Sequence, residues 1–272
     1  MTLEKSTIYI KNKIKTKPDF GILLLGSQFF NKLVKEIIKK PICISYEEIP
    51  NFSNLCGELI FGEIEEKKVV FLIEPFSLSS SYEEKEKNTF PVVLCKNIGI
   101  DKLILINISV GVNPNYKMGD VMLVKDHINL FPPDKSLFSL KENHHLNSSF
   151  FGITEEPYDK KMLEIAENIA MNHNIIIQKG VYVAFPYPNY KTPAEYAMIQ
   201  SMGGDSVGMN NIISYVITAR YMSLRVFAIS IIIMGLSNQH NKKYQTNSIF
   251  QETEKSIPIL ILIVKEFIKF CY

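Results

Sequence analysis

The fold class is decided by the stretch FGILLLGS, residues 20–27, and by the segment that follows it. The first six residues form a short apolar run, which is typical of a buried strand, and Gly26-Ser27 end that run. Residues 29–40 then repeat apolar side chains at helical spacing and end in lysines, which suit a helix C-terminus. The sequence therefore predicts a strand, a tight turn and a helix in succession.

The same alternation continues along the chain. Further strands are predicted at residues 57–64, 68–73, 102–108, 120–125, 180–185 and 225–233. Helices are predicted at residues 155–173 and from Thr192, where Thr192-Pro193-Ala194-Glu195 has the pattern of a capping box with proline at the first helical position. Seven or more strands separated by helices indicate an α/β fold with a large mixed sheet. We expect one domain at residues 18–272, preceded by an extension or helix at residues 1–17.

Composition excludes several classes of protein. The chain is 46% hydrophobic and 21% charged, which is ordinary for a globular protein and unlike a disordered or fibrous one. Its net charge is +2 and its lysines are dispersed, so we predict no nucleic-acid partner. The longest apolar stretch, residues 257–264, is far below the ~20 residues that a membrane span needs. With four cysteines, no C-x-x-C pair and no secretory signal, we predict a cytoplasmic protein without a metal or a cofactor.

Several short motifs occur in a specific order. Gly119-Asp120 precedes Asp126-His127-Ile128-Asn129-Leu130, and Gly204-Asp205 later precedes Val207-Gly208-Met209. Their order and spacing resemble the trimeric class of purine nucleoside phosphorylases from about residue 18 to residue 235. The resemblance implies a single α/β domain with a barrel-like mixed sheet surrounded by helices, assembled as a ring of three. It also implies phosphorolysis of purine nucleosides, with inorganic phosphate as the co-substrate.

The resemblance assigns five positions to a phosphate site. They are Ser27, Pro75, Ser77, Ile108 and Asn210. Ser27 keeps the family's serine. The family's arginine and histidine fall on Pro75 and Ser77 when counted from Phe61-Gly62, or on Phe76 and Leu78 when counted back from Phe90-Pro91, and neither count gives a cation. A guanidinium is the strongest side-chain ligand for phosphate, and proline lacks even a backbone donor. We therefore expect weak or absent phosphate binding.

Five further positions correspond to the nucleoside site. They are Leu55, Tyr190, Lys191, Met209 and Ile232. Tyr190 and Met209 keep the aromatic ring and the methionine of the family, and Leu55 replaces an upstream histidine. Lys191 stands where a glutamate accepts hydrogen bonds from the base, and a lysine cannot accept them. Ile232 is matched to the asparagine that stabilises the departing purine.

These replacements favour a homologue that is inactive as a phosphorylase and acts by assembly or binding. Two alternatives remain open. One is an active phosphorylase or hydrolase with a rebuilt site that uses Tyr82, Lys191 and Asn210; the other is a protein that binds purines or nucleosides without turnover. Asp126-His127 is predicted to lie in a structural connection rather than to catalyse a reaction. A homotrimer is expected, with an active relative as a possible partner, and the small-molecule ligand stays open.

Overall fold

The computed structural model describes residues 2–26, 29–50, 57–74, 90–131, 156–186, 192–209, 212–235 and 246–271. Nine strands and seven helices lie within these ranges. The helices are α1 (Thr2–Lys13), α2 (Asn31–Ile37), α3 (Phe90–Asn97), α4 (Lys160–Asn172), α5 (Pro193–Ser201), α6 (Ile212–Tyr221) and α7 (Thr246–Phe270). The strands are β1 (Phe20–Leu25), β2 (Lys39–Ser45), β3 (Glu58–Ile64), β4 (Lys67–Glu74), β5 (Lys102–Gly111), β6 (Val121–Asn129), β7 (Gln178–Ala184), β8 (Ser206–Gly208) and β9 (Arg225–Met234).

Five strands close into a barrel. The sheet order is β2-β3-β4-β1-β5-β8-β7-β6-β9, and β9 also pairs with β5, which closes the ring from β5 to β9. The remaining strands, β1, β4, β3 and β2, extend from β5 as an open arm. Parallel and antiparallel pairs occur together. The prediction of an α/β fold with a mixed, barrel-like sheet surrounded by helices is therefore confirmed.

Strand alternation sorts the barrel residues into two faces. Val183 of β7 and Val207 of β8 pack with Ile199 of α5 on the outside. Their neighbours Tyr182 and Ser206 are in register with each other, so both side chains point into the barrel. Both are fully buried. The barrel interior therefore contains polar groups as well as aliphatic ones.

The second helix is shorter than the sequence predicts. α2 ends at Ile37, Ile38 is extended, and Lys39 already begins β2. Pro41 explains the difference, because the residue before a proline is disfavoured in the helical region, and Lys40 adopts φ 51. Proline also suits β2, which lies at the edge of the sheet. The prediction that the helix continues to Lys40 is wrong.

β6 is longer than the sequence predicts. Asp126 and His127 lie within this strand and pair with Val181 and Tyr182 of β7, so their predicted placement in a connection is wrong. The register shifts between Val124 and Asp126, which is a bulge that lets the strand bend and continue.

Side-chain hydrogen bonds cap the start of one helix and connect another to the turn that precedes β6. The predicted capping box is confirmed, because the Thr192 side chain accepts a hydrogen bond from the Glu195 N–H and Glu195 accepts one from the Thr192 N–H. In α7, Ser256 donates a hydrogen bond of 2.7 Å to the carbonyl of Gly119. None of the described helices is both long and apolar enough to cross a membrane.

Candidate functional site

Four strand ends meet at one edge of the sheet. β1 is parallel to β4 and to β5, and β5 is parallel to β9, so their carboxyl ends lie on the same side. The register pairs Leu25 with Glu74 and Ser109 with Ile232 at this carboxyl edge. In open and mixed α/β sheets, ligands commonly bind beyond the carboxyl ends of parallel strands. The carboxyl edge is therefore the candidate functional site.

Asp205 joins three segments close to this edge. Its carboxylate accepts hydrogen bonds of 2.8 Å from the Asn113 amide and from the Val181 N–H. Its backbone carbonyl accepts two more, from the N–H groups of Val112 and Asn113. A Cβ on Gly180 would lie 2.9 Å from the Asp205 carboxylate, so only glycine allows this approach. Asp205 thereby fixes the start of β8 against the end of β5 and the middle of β7.

A polar cluster fills the barrel below the carboxyl edge. The hydroxyls of Ser109 on β5 and Ser230 on β9 form a buried hydrogen bond of 2.7 Å. Burial raises the pKa of Tyr182, and a contact with the Asn107 side chain opposes that effect. The Tyr182 hydroxyl also lies against Gly208, where a Cβ would overlap it. The serine pair links β5 to β9, and Tyr182 of β7 packs against β8.

A second polar pair lies between β6 and the segment that precedes α4. The hydroxyl of Tyr158 is 3.1 Å from Nδ1 of His127, and the two rings meet edge to face. Burial lowers the pKa of His127, and the nearby Asp126 carboxylate opposes this shift. Burial also raises the pKa of Tyr158 well above its usual value. Both groups are therefore held in their neutral forms at neutral pH.

The sequence is similar to those of known proteins. A family model described as the phosphorylase superfamily matches residues 22–269. Purine nucleoside phosphorylase 1 of Bacillus subtilis is 32% identical over 97% of this chain and 96% of its own length. A purine nucleoside phosphorylase of Rattus norvegicus is 29% identical over 89% of this chain and 86% of its own length. The chain belongs to the purine nucleoside phosphorylase family.

Solved structures of the family agree with this assignment. The Schistosoma mansoni purine nucleoside phosphorylase in complex with adenosine superposes with a TM-score of 0.81. It is 28% identical in sequence, and the alignment covers 99% of this chain and 97% of that one. The barrel and its open arm are thus the phosphorylase fold.

Three of the ten predicted site positions lie within the described residues. Ile108 is nearly buried at the end of β5, and Ile232 is fully buried on β9 against Gly111. Met209 follows β8 directly and is partly exposed. Because β8 pairs with β5 at Val110, the fold places Met209 beside the carboxyl edge with Ile108. The other seven, namely Ser27, Leu55, Pro75, Ser77, Tyr190, Lys191 and Asn210, lie outside the described residues.

The structure adds a residue that sequence reasoning missed. Ile232 is fully buried, whereas Ile233 and Met234 at the end of β9 are partly exposed. Met234 pairs with Val110 of β5, so it lies at the same carboxyl edge as Ile232 and is more exposed there. An unbroken run of isoleucines offered no alternation that could distinguish the buried position from the exposed one.

The described strand ends at the carboxyl edge carry no cationic side chain. They comprise residues 25–26, 73–74, 108–112 and 232–235. Glu74, the last residue of β4, is the one charged residue in these ranges, and it is acidic. Within these ranges the edge offers no lysine, arginine or histidine to an anion.

Proposed function

We propose that this chain is a purine nucleoside phosphorylase homologue that does not carry out phosphorolysis and acts by binding or by assembly. The absence of a cation from the described strand ends of the carboxyl edge carries this proposal. It is supported by the sequence just beyond β4, where Pro75 and Ser77 replace the family's arginine and histidine. Each lost charge-assisted hydrogen bond weakens phosphate binding by about 1.5–3 kcal/mol.

The base side of the site supports the same proposal. Phosphorolysis places negative charge on the departing purine, and polar groups must stabilise that charge in the transition state. Lys191 cannot accept hydrogen bonds from the base, and Ile232 and Met234 offer the leaving base no hydrogen-bond donor. An active site that lacks both the phosphate ligands and the base ligands would need other groups to bind phosphate and to stabilise the departing purine.

Calorimetric titration with inorganic phosphate tests the anion side directly. We expect no heat of binding at phosphate concentrations up to about 1 mM. A dissociation constant of about 1 mM corresponds to a binding free energy of only about 4 kcal/mol, and we expect this chain to bind phosphate more weakly than that. The Bacillus subtilis relative, titrated under the same conditions, serves as the positive control. The proposal would be contradicted if this chain bound phosphate as tightly as the relative does.

Binding without turnover is a second candidate, favoured by Met209. This methionine is kept from the family and is partly exposed directly after β8. If the chain binds purines, hypoxanthine or inosine should raise its unfolding temperature while the nucleoside is recovered unchanged, because a ligand of the native state stabilises that state. No stabilisation at millimolar inosine and hypoxanthine would leave assembly as the function.

We further propose a homotrimer. Met198 on α5 and Met202 directly after it are 42% and 38% exposed, and Ala194 and Ala197 on α5 are also exposed. An apolar surface of this kind on a single chain commonly marks a contact with another protein. Sedimentation should give the mass of three chains at micromolar concentration, and Met198→Glu should dissociate them. A monomeric wild-type chain would contradict this proposal.

A cytoplasmic location is also proposed. The cysteines within the described residues, Cys43, Cys95 and Cys271, are all free. Burial raises the pKa of Cys95 to about 12, so this thiol stays protonated and unreactive. Free buried thiols are typical of proteins in a reducing compartment.

A further inference from the structure

We propose that Tyr116 closes the barrel beneath the candidate site and limits how deeply a ligand can enter. Tyr116 lies in the connection between β5 and β6 and is 4% exposed. Its ring forms the floor of the site at the carboxyl edge. The inference rests on the proposed location of that site, and it does not depend on whether the site performs phosphorolysis.

The backbone and Cβ of Tyr116 lie against the ends of β5 and β9. A Cβ on Gly111, the last residue of β5, would lie 3.1 Å from the Cβ of Tyr116. A Cβ on Gly235, the residue after β9, would lie 2.6 Å from the Tyr116 carbonyl oxygen. The Tyr116 N–H donates a hydrogen bond of 3.0 Å to the carbonyl of Asn113, which holds the turn that leads back from β5. Tyr116 therefore begins between two strand ends that border the candidate site.

The hydroxyl of Tyr116 reaches across the barrel to β7. A Cβ on Gly180 of β7 would lie 2.5 Å from this oxygen and 2.7 Å from the Cβ of Asp205. In the ring of five strands, β7 is not adjacent to β5, because β8 lies between them. Burial raises the pKa of Tyr116, and the carboxylates of Asp205 and Asp120 raise it further, so the hydroxyl stays protonated at neutral pH. A neutral ring thus spans the distance from the end of β5 to β7.

Strand alternation places this ring inside the barrel. Tyr182 points into the barrel, and Gly180 lies two residues before it on the same strand, so both share the inward face. Gly111 is in register with Ser206, which also points inward. Because the Tyr116 side chain runs from one inward-facing glycine to the other, it lies in the mouth of the barrel.

Buried polar groups lie below this mouth. Ser109, two residues before Gly111 on the inward face of β5, is 2% exposed and pairs with Ser230. The Ser206 hydroxyl is fully buried and makes no hydrogen bond to another described residue. Buried groups of this kind bind water or a polar ligand wherever a path is open to them. The ring of Tyr116 blocks that path from the carboxyl edge.

Thiol labelling tests whether the ring closes the barrel. Ser109→Cys places a thiol on the inward face of β5, below the mouth. Cys95 on α3 is 1% exposed and serves as a reference within the same chain. A small methanethiosulfonate reagent modifies a thiol only when that thiol becomes accessible, and mass spectrometry of peptides separates the two positions. Global unfolding exposes both thiols, whereas an open barrel mouth exposes only the one at position 109.

Tyr116→Ala, combined with Ser109→Cys, removes the ring. We expect the rate of modification at position 109, divided by that at Cys95, to rise at least about 10-fold over the Ser109→Cys chain, because a local opening then precedes global unfolding. Tyr116→Phe keeps the ring and should leave this ratio unchanged. An equal increase at both positions in Tyr116→Ala would overturn the proposal, because loss of stability alone would explain it. Modification at position 109 faster than at Cys95 with Tyr116 in place would also overturn it.

Two further variants keep the test decisive if the first ones fold poorly. Ser206→Cys places the thiol at a hydroxyl that makes no hydrogen bond to another described residue, and the same ratios are expected there. Tyr116→Leu also removes the ring, and it keeps more of the apolar packing than alanine does.

The compound p-cresol has the structure of the tyrosine side chain and provides a rescue experiment. In Tyr116→Ala, millimolar p-cresol should return the labelling ratio toward that of the Ser109→Cys chain and raise the unfolding temperature, because it fills the space that the ring left. It should change neither quantity in Tyr116→Phe. Absence of rescue in Tyr116→Ala would contradict a ring fitted into the mouth. These measurements need neither turnover nor a substrate, so a failure here is separate from a failure of the proposed function.

Discussion

Asp205 holds three parts of the chain around the candidate site with one side chain. The carboxylate meets Asn113 beyond β5 and Val181 on β7, and it lies one residue before β8. Its family motif, Gly204-Asp205, is thereby explained as a structural joint.

Replacing Asp205 tests this structural role. Asp205→Ala should lower the free energy of unfolding by about 2–4 kcal/mol, because two hydrogen bonds to a charged group are lost together. Asp205→Asn keeps one acceptor oxygen and should cost less. Urea unfolding measures both variants, with Glu164→Gln on the exposed face of α4 as the control. If the alanine variant is as stable as this control, Asp205 does not hold β8 against β5 and β7.

The environment of His127 predicts how the stability of the folded chain depends on pH. Burial lowers its pKa in the folded chain, so the unfolded chain binds a proton first as the pH falls below about 6.5. The stability contributed by neutral His127 is complete above that pH and decreases below it, toward the folded pKa. Between pH 7.5 and 5.5, wild type should therefore lose more stability than His127→Asn in urea unfolding. Parallel losses in the two proteins would refute this role.

At the scale of elements, the turn between β3 and β4 carries local strain. Ile64 pairs with Lys67, which leaves Glu65 and Glu66 as a two-residue loop with φ 46 and 65. Both residues occupy the left-handed region, which such tight hairpin turns require and which asparagine and glycine favour. Two adjacent glutamates tolerate this conformation poorly and also repel each other.

Relief of that strain should stabilise the chain. The double change Glu65→Asn and Glu66→Gly is expected to raise the free energy of unfolding by about 1–2 kcal/mol. Thermal and urea unfolding would both detect it. Glu164→Gln, which alters one exposed carboxylate without changing a turn, is the matched control. A less stable double variant would show that these side chains make contacts that outweigh the backbone strain.

Elements with a strong apolar pattern were predictable from the sequence, whereas short or edge elements were not. β1 has the bounds that its six apolar residues predict, and the capping box placed the start of α5. β2 was missed because its exposed lysines and Pro41 continue the polar end of a helical pattern. β8 was missed because three residues carry no periodicity. Its position depends on tertiary contacts such as those of Asp205 and Tyr182.

On the scale of the whole molecule, the chain has the barrel of its family, and we propose that the chemistry at the carboxyl edge differs. Gly119 turns with φ 92 and donates its N–H to the carbonyl of Ile232, so another retained motif residue has a structural role. Among the positions that we propose as altered, Ile108 and Ile232 lie near the carboxyl ends of β5 and β9. Sequence motifs could identify these positions by their spacing, but they could not show that Ile232 is buried while Met234 reaches the surface. That distinction depends on how β9 pairs with β5 in three dimensions.

The most direct test of the central claim is phosphate-dependent release of hypoxanthine from inosine, with the chain in excess over the nucleoside. The account predicts no release beyond the rate without protein, in wild type and in Ser27→Ala alike, while the Bacillus subtilis relative acts in the same assay. Turnover at an ordinary enzymatic rate of about 1 per second or more, abolished in Ser27→Ala, would contradict it. That result would show that the edge still binds phosphate and transfers the pentosyl group.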